Sequence, residues 1–170
     1  MGYNYKHILL LVLLLVLQAC SVSYKFNGAS INYQTTKSIS IADFPNNAAL
    51  VYPQLSNMLS ETIRDQYVRQ TRLQVLTKGG NLELEGEIVG YDLTPMAISA
   101  DSYASETKLT LTVKVSFTNN VAPEESFERT YSAFQVFDAT KLLTDVQEEL
   151  CNTMVAEIAE NIYNDTVARW

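Results

Sequence analysis

The sequence predicts an α+β fold: a two-layer sandwich of two helices packed on one face of a mixed, largely antiparallel four-stranded sheet. Three observations predict it. Residues 108–117 alternate polar and apolar, Leu55 to Tyr67 and Leu143 to Ile162 repeat apolar residues every three or four positions, and the order is strand, helix, strands, helix. Period two marks a half-buried strand and period 3.6 a helix with one apolar stripe. Laying both stripes on one sheet face buries them with only two layers.

Taken in order, Cys20 to Tyr33 is polar with scattered aromatics (Tyr24, Phe26, Tyr33), a linker that ends as an edge strand. Thr36 to Ala42 alternates, and Asp43-Phe44-Pro45-Asn46-Asn47 stops this first strand. Pro53 suits the first turn of a helix whose stripe is Leu55, Leu59, Ile63 and Tyr67, with Met58 beside it, running to about Gln70. Leu73, Val75 and Leu76 begin another strand, and Gly79-Gly80 supplies a turn into a further alternation from Asn81 to Leu93, which Pro95 breaks. There Leu82, Leu84, Gly86 and Ile88 share one face and Glu83, Glu85 and Glu87 the other. Those acids read as a solvated sheet face, because no oxygen-rich loop with metal-ligand spacing accompanies them.

Met96 to Glu106 is small and polar, a loop. The cleanest strand follows, with Leu109, Leu111, Val113, Val115 and Phe117 against Lys108, Thr110, Thr112, Lys114 and Ser116. Asn119 to Glu124 forms a hairpin loop, and the return strand runs from about Glu125 to Phe137. Hydrophobic matching puts Phe127 and Tyr131 opposite Val115 and Leu111, and Glu128 opposite Lys114. Arg129 then falls on the apolar face, expected to snorkel to the edge or to pair with an acid; a reachable cation there is also what an anionic lipid headgroup needs. From Thr140, Leu143, Val146, Leu150, Met154, Ile158 and Ile162 trace one stripe, flanked by Leu142, Cys151 and Val155, in a helix of roughly seven turns ending near Val167. No internal repeat is visible.

The N-terminus carries Lys6 and then an unbroken apolar run from Ile8 to Leu17. A spanning helix needs about 20 apolar residues, whereas secretory signal cores run about 7 to 15, so this is a cleaved signal over residues 1–19. Leu17-Gln18-Ala19-Cys20 resembles the lipobox of bacterial lipoproteins, an aliphatic residue at −3, a small residue at −1 and a cysteine whose thiol takes a diacylglyceryl group. Cleavage leaves Cys20 as an N-acylated, lipid-anchored N-terminus; two or three acyl chains anchor stably, at about 0.8 kcal/mol per buried methylene. By resemblance to enteric sorting rules, Ser21 rather than Asp points to the outer membrane, and no acidic cluster near it signals surface display. Residues 20–34 are then a tether and residues 35–170 a single domain, large enough for a real core.

Composition excludes several classes. Loss of Lys6 takes 12 cations to 11 against 19 acids, a mature net charge of −8, which argues against sequence-independent nucleic-acid binding. The one histidine, His7, leaves with the signal, so the mature chain cannot build a Ser-His-Asp, Cys-His or histidine-zinc site. No phosphate-binding glycine loop and no G-x-S-x-G occurs. With Cys20 acylated, Cys151 has no disulfide partner and is either a small core residue or a reactive thiol, for which no basic neighbour is present in sequence. No catalytic residue, metal or separate cofactor is predicted, and the chain is read as a non-enzyme.

Several stretches, in this order, carry a wider resemblance. They are Cys20 with Tyr24-Lys25-Phe26-Asn27-Gly28-Ala29-Ser30-Ile31, Ile39 to Asn47 ahead of the Pro53 helix, Asn81 to Ile88, Lys108 to Val113, and Val167-Ala168-Arg169-Trp170. Together they make the chain resemble the lipopolysaccharide-assembly lipoprotein family, LptE. That resemblance implies a two-helix, four-stranded sandwich on the periplasmic side of the outer membrane, plugging the lumen of the β-barrel LptD and assisting delivery of lipopolysaccharide to the outer leaflet. Lipopolysaccharide phosphates demand cations, for which Lys108, Lys114 and Arg129 are candidates from strand geometry alone. Tyrosine suits a broad protein interface, and the eight tyrosines left after the signal fit either that or ordinary half-buried strand positions. The competing readings are a lipid-binding auxiliary lipoprotein of an ABC-type exporter and a surface adhesion lipoprotein.

Overall fold

The computed structural model describes residues 31–96 and 106–168. The expected signal, Cys20, most of the expected tether, the greater part of the expected Met96–Glu106 loop, and Arg169-Trp170 lie outside the described residues. The elements are β1 (Ser38–Ile41), α1 (Leu55–Gln70), β2 (Gln74–Leu76), β3 (Leu82–Met96), β4 (Glu106–Asn119), a 3-10 turn (Pro123–Glu125), β5 (Phe127–Asp138) and α2 (Leu143–Thr166). Both helices begin and end within two or three residues of where their stripes predict. Among the described residues no helix is long and apolar enough to cross a membrane.

The α+β sandwich holds, but the sheet has five strands in the order β2-β1-β3-β4-β5, and it is mixed rather than largely antiparallel. β1 runs parallel to both neighbours, Ile39 facing Val75 of β2 and Leu82 of β3, while β3, β4 and β5 form an antiparallel meander. The prediction failed at Gly79-Gly80, which does not turn a hairpin. Instead the chain doubles back across β1, so that β2 and β3 flank it. Gly79 takes φ +72, and a Cβ on Gly80 would lie 2.5 Å from the Ser40 nitrogen and 2.8 Å from the Ile39 carbonyl carbon. Asn81 locks the crossing: its side-chain oxygen accepts the Lys37 N–H at 2.9 Å, and its N–H donates to Ser38 Oγ at 3.1 Å.

β4 is the spine of the core. Leu109, Leu111, Val113 and Val115 are fully buried, as are Leu59 and Ile63 of α1 and Cys151, Met154 and Ile158 of α2. Burying each such side chain contributes about 1.5–3 kcal/mol before entropy is counted. Gly86 leaves a gap in the β3 stripe, and Phe44, from the turn after β1, fills it: a Cβ on Gly86 would lie 2.5 Å from the Phe44 ring. Ser60 Oγ accepts the Phe44 N–H at 3.0 Å and Ser56 Oγ donates to the Phe44 carbonyl at 2.6 Å, so α1 holds that turn in place. A bulge between Ile88 and Gly90 then reverses the phase of β3, so Tyr91 points inward and Val89 is exposed.

The β4–β5 register is shifted by two residues from the predicted one. Phe127 faces Phe117, Tyr131 faces Val113 and Glu128 faces Ser116. The cause is the loop. Asn119 Oδ1 accepts the N–H groups of Val121 and Ala122, each at 2.9 Å, Asn119 Nδ2 donates to Glu125 at 2.8 Å, and the resulting 3-10 turn takes up Glu125, so that β5 starts at Phe127. A slip of two keeps every side chain on its predicted face.

The crossing yields a paired test in urea denaturation. Gly80→Ala sets a Cβ against the β1 backbone, which cannot yield, and is expected to cost about 1–3 kcal/mol, as overpacking does. Gly79→Asn, in open space and in a conformation that Asn tolerates, is expected to stay within about 0.5 kcal/mol of the parent.

Candidate functional site

Each sequence-predicted cation has a definite setting, and the three do not converge. Lys108 and Lys114 point to the sheet face opposite the helices, six residues apart along β4, a separation of about 20 Å. Arg129 lies in the inward phase of β5, but at the sheet edge beside the end of α2. Its guanidinium pairs with Asp165 and stacks over the Phe127 ring, 5.1 Å from the centroid. The Tyr131 hydroxyl donates to the same carboxylate at 2.8 Å. The expected pairing of Arg129 with an acid is therefore met, and Asp165 raises the Arg129 pKa further. Lys114 Nζ lies 3.0 Å from Glu128, reached diagonally across the shifted register.

Lys108 differs. Among the described residues it belongs to no ion pair, and its ammonium sits over the Phe134 ring, 5.7 Å from the centroid. Val136 is its direct partner on β5 and Thr94 on β3. Phe134 is 58% exposed, with Val136 and Met96 also exposed on the same end of the sheet. Sequence reasoning missed this patch. The signal was present in the phase: Phe134 and Val136 alternate in step with Glu128, Thr130 and Ser132, so β5 is apolar on both faces at its C-terminal end. A cation framed by exposed apolar side chains can meet an amphiphile with an anionic head.

The three glutamates of β3 take the solvated face as predicted: Glu87 accepts Asn47 Nδ2 at 2.6 Å and Glu83 accepts Asn120 Nδ2 at 3.0 Å. Among the described residues no group of acids, cysteines or histidines could hold a metal. Cys151 is fully buried, 3.3 Å from the Tyr91 hydroxyl, and burial raises its pKa. A thiol held protonated in the core is a packing residue rather than a nucleophile. Gln147 Nε2 donates to the Tyr91 hydroxyl at 2.8 Å, completing a small polar knot between β3 and α2.

The described residues thus form a two-helix sandwich with one sheet face free of helices, and that face carries Lys108 and Lys114. A family model described as lipopolysaccharide-assembly, LptE, matches residues 36–166, which spans every element from β1 to α2. The chain belongs to the LptE family. No curated protein sequence matches it. Among solved structures it is similar to a minor lipoprotein from Acinetobacter baumannii, with 14% identity, a TM-score of 0.52, and 78% of this chain and 94% of that one covered. It is also similar to a protein from Xanthomonas campestris, with 9% identity, a TM-score of 0.53, and 79% and 85% covered. At such identities the likeness speaks for the fold.

Burial holds the hydroxyls of Tyr67, Tyr91 and Tyr131 well above the ordinary tyrosine range. Above about pH 10 the unfolded chain releases these protons while the folded chain keeps them, so the unfolded state binds fewer. Stability is therefore full below about pH 10 and falls as pH rises toward the folded-state values. Urea midpoints followed from about pH 8 to pH 11 are expected to show this fall. Tyr67→Phe is expected to flatten it while costing about 1 kcal/mol at neutral pH through the lost bond to Thr166 Oγ1.

Proposed function

We propose that this chain is an outer-membrane lipoprotein of lipopolysaccharide assembly, acting by binding and not by catalysis. Residues 1–19 are its export signal, Cys20 carries the diacylglyceryl and N-acyl chains, residues 20–34 are the tether, and residues 35–170 are the working domain. It faces the periplasm or lies within the lumen of the LptD barrel, which it plugs and helps to assemble. The observation that carries this reading is the family match over residues 36–166. The N-terminal lipobox supports the anchor, and a sandwich with one helix-free sheet face supports a broad contact with another protein.

Lipopolysaccharide offers phosphates and acyl chains together. Of the three candidate contacts, Lys108 suits that chemistry best, because its ammonium is framed by Phe134 and Val136 rather than held by a carboxylate. Lys114 and Arg129 would each have to exchange an acidic partner, Glu128 or Asp165, for a phosphate.

Purifying the acylated protein in mild detergent from its native membrane tests the partnership. A stoichiometric LptD-type barrel is the expected companion; recovery with an inner-membrane permease, or alone, would contradict the plug reading and leave the auxiliary exporter subunit in its place. For the lipid, Lys108→Glu is expected to weaken lipopolysaccharide binding about tenfold or more, as loss of a charge-assisted hydrogen bond does. Lys114→Glu should weaken it less. Equal effects, or none, would remove Lys108 from the site.

A further inference from the structure

An edge strand presents a row of backbone N–H and C=O groups that no neighbouring strand takes up. The sheet order leaves β2 at one edge and β5 at the other. β2 is only 3 residues long, which protects that edge. β5 runs for 12 residues, and among the described residues no further strand, turn or side chain takes up the outer backbone groups from Glu128 to Phe137. Charges, prolines and bulges are the usual defences of such an edge. From Thr130 to Phe137 the strand has neither a charge nor a proline, and it pairs with β4 without a bulge.

A second copy of the same strand fits this edge. Antiparallel pairing about a two-fold axis normal to the sheet keeps both helix layers on one side, and the axis must then fall on a residue, because residues directly opposite each other share a face. Two registers pair nearly the whole strand. An axis at Ala133 sets Glu128 against Asp138 of the other copy at both ends, like charge against like. An axis at Ser132 instead sets Glu128 against Val136, Thr130 against Phe134 and Arg129 against Gln135, with no like charges opposed. Thr112 Oγ1 already lies 3.4 Å from Ser132 Oγ, so that axis continues a hydroxyl ladder from β4 across both copies.

The same register gives Lys108 a partner. Val136 would stand between Lys108 on β4 and Glu128 of the other copy, with about 10 Å between the two Cα atoms, two strand spacings that a lysine and a glutamate side chain span together. Glu128 keeps Lys114 of its own chain on the far side. We propose that two copies of this chain join β5 to β5, antiparallel about Ser132, into one continuous sheet in which Lys108 of each copy reaches Glu128 of the other. This pairing does not rest on the lipopolysaccharide-assembly reading, and either can fail without the other.

Cysteine cross-linking in the full-length acylated protein, in mild detergent, locates the axis. Cys151 is buried, and the parent protein sets the background. Under copper–phenanthroline, Ser132→Cys is expected to link into a dimer several-fold faster than Thr118→Cys, which is exposed on the same sheet face but far from the axis, toward the C-terminal end of β4. Co-residence in one micelle would link both alike. A mixture of Thr130→Cys and Phe134→Cys is expected to link faster than either alone. In sedimentation, Glu128→Lys is expected to weaken the dimer several-fold without changing the far-ultraviolet circular dichroism, and adding Lys108→Glu is expected to restore it. Linking of Ser132→Cys no faster than Thr118→Cys, or a monomer at every concentration sedimented, would overturn the pairing.

Discussion

The inward face of β4 is the constraint on which the rest of the molecule depends. Its alternating Leu109, Leu111, Val113, Val115 and Phe117 cannot be left in water, and burial of that row needs partners on three sides. β3 and β5 supply the lateral hydrogen bonds, and the stripes of α1 and α2 supply the lid. Because both helices are spent on one face, the opposite face of the meander is left to solvent, to lipid or to another protein. The division of labour between faces is thus a consequence of having two amphipathic helices and one sheet.

Polar groups at the seams decide how the layers meet. The side-chain oxygen of Asn81 accepts the Lys37 N–H and the Ser38 hydroxyl where the chain crosses β1, and that of Asn119 accepts the N–H groups of Val121 and Ala122 where β4 turns into β5. Ser56 and Ser60 tie the Phe44 turn to α1, and the Tyr131–Asp165–Arg129 cluster ties the edge strand to α2. That last ion pair is half exposed, so solvent screens much of its charge attraction. Its larger effect is positional, since it holds Arg129 at the edge rather than under the helices.

Much of this architecture is legible in the chain. The four-residue spacing of Leu55 to Tyr67 and the alternation of 108–117 are local signals strong enough to read directly, and Cys151 falls in the core as its place in a helical stripe implies. What escaped is non-local. Three residues, Gln74 to Leu76, carry no signal for parallel pairing with β1, and a Gly-Gly step looks the same whether it turns a hairpin or crosses a strand. The bulge at Val89 reverses the phase of β3 without any change in composition, and the register of β5 depended on how Asn119 folds the loop behind it. For the candidate site, the positions of Lys108 and Lys114 on the open face were readable, whereas Phe134 beside Lys108 required the register. Cys20 rests on its motif and its position after the apolar run.

We propose that lipopolysaccharide meets the helix-free face at its Lys108–Phe134 end. A photo-cross-linking residue at Phe134, in living cells, tests it against the same residue at Val68, which is equally exposed, 59% against 58%, but lies on α1 on the other side of the sandwich. Lipopolysaccharide adducts are expected from position 134 and few from position 68. Adducts in equal yield from both, or from position 68 alone, would contradict it.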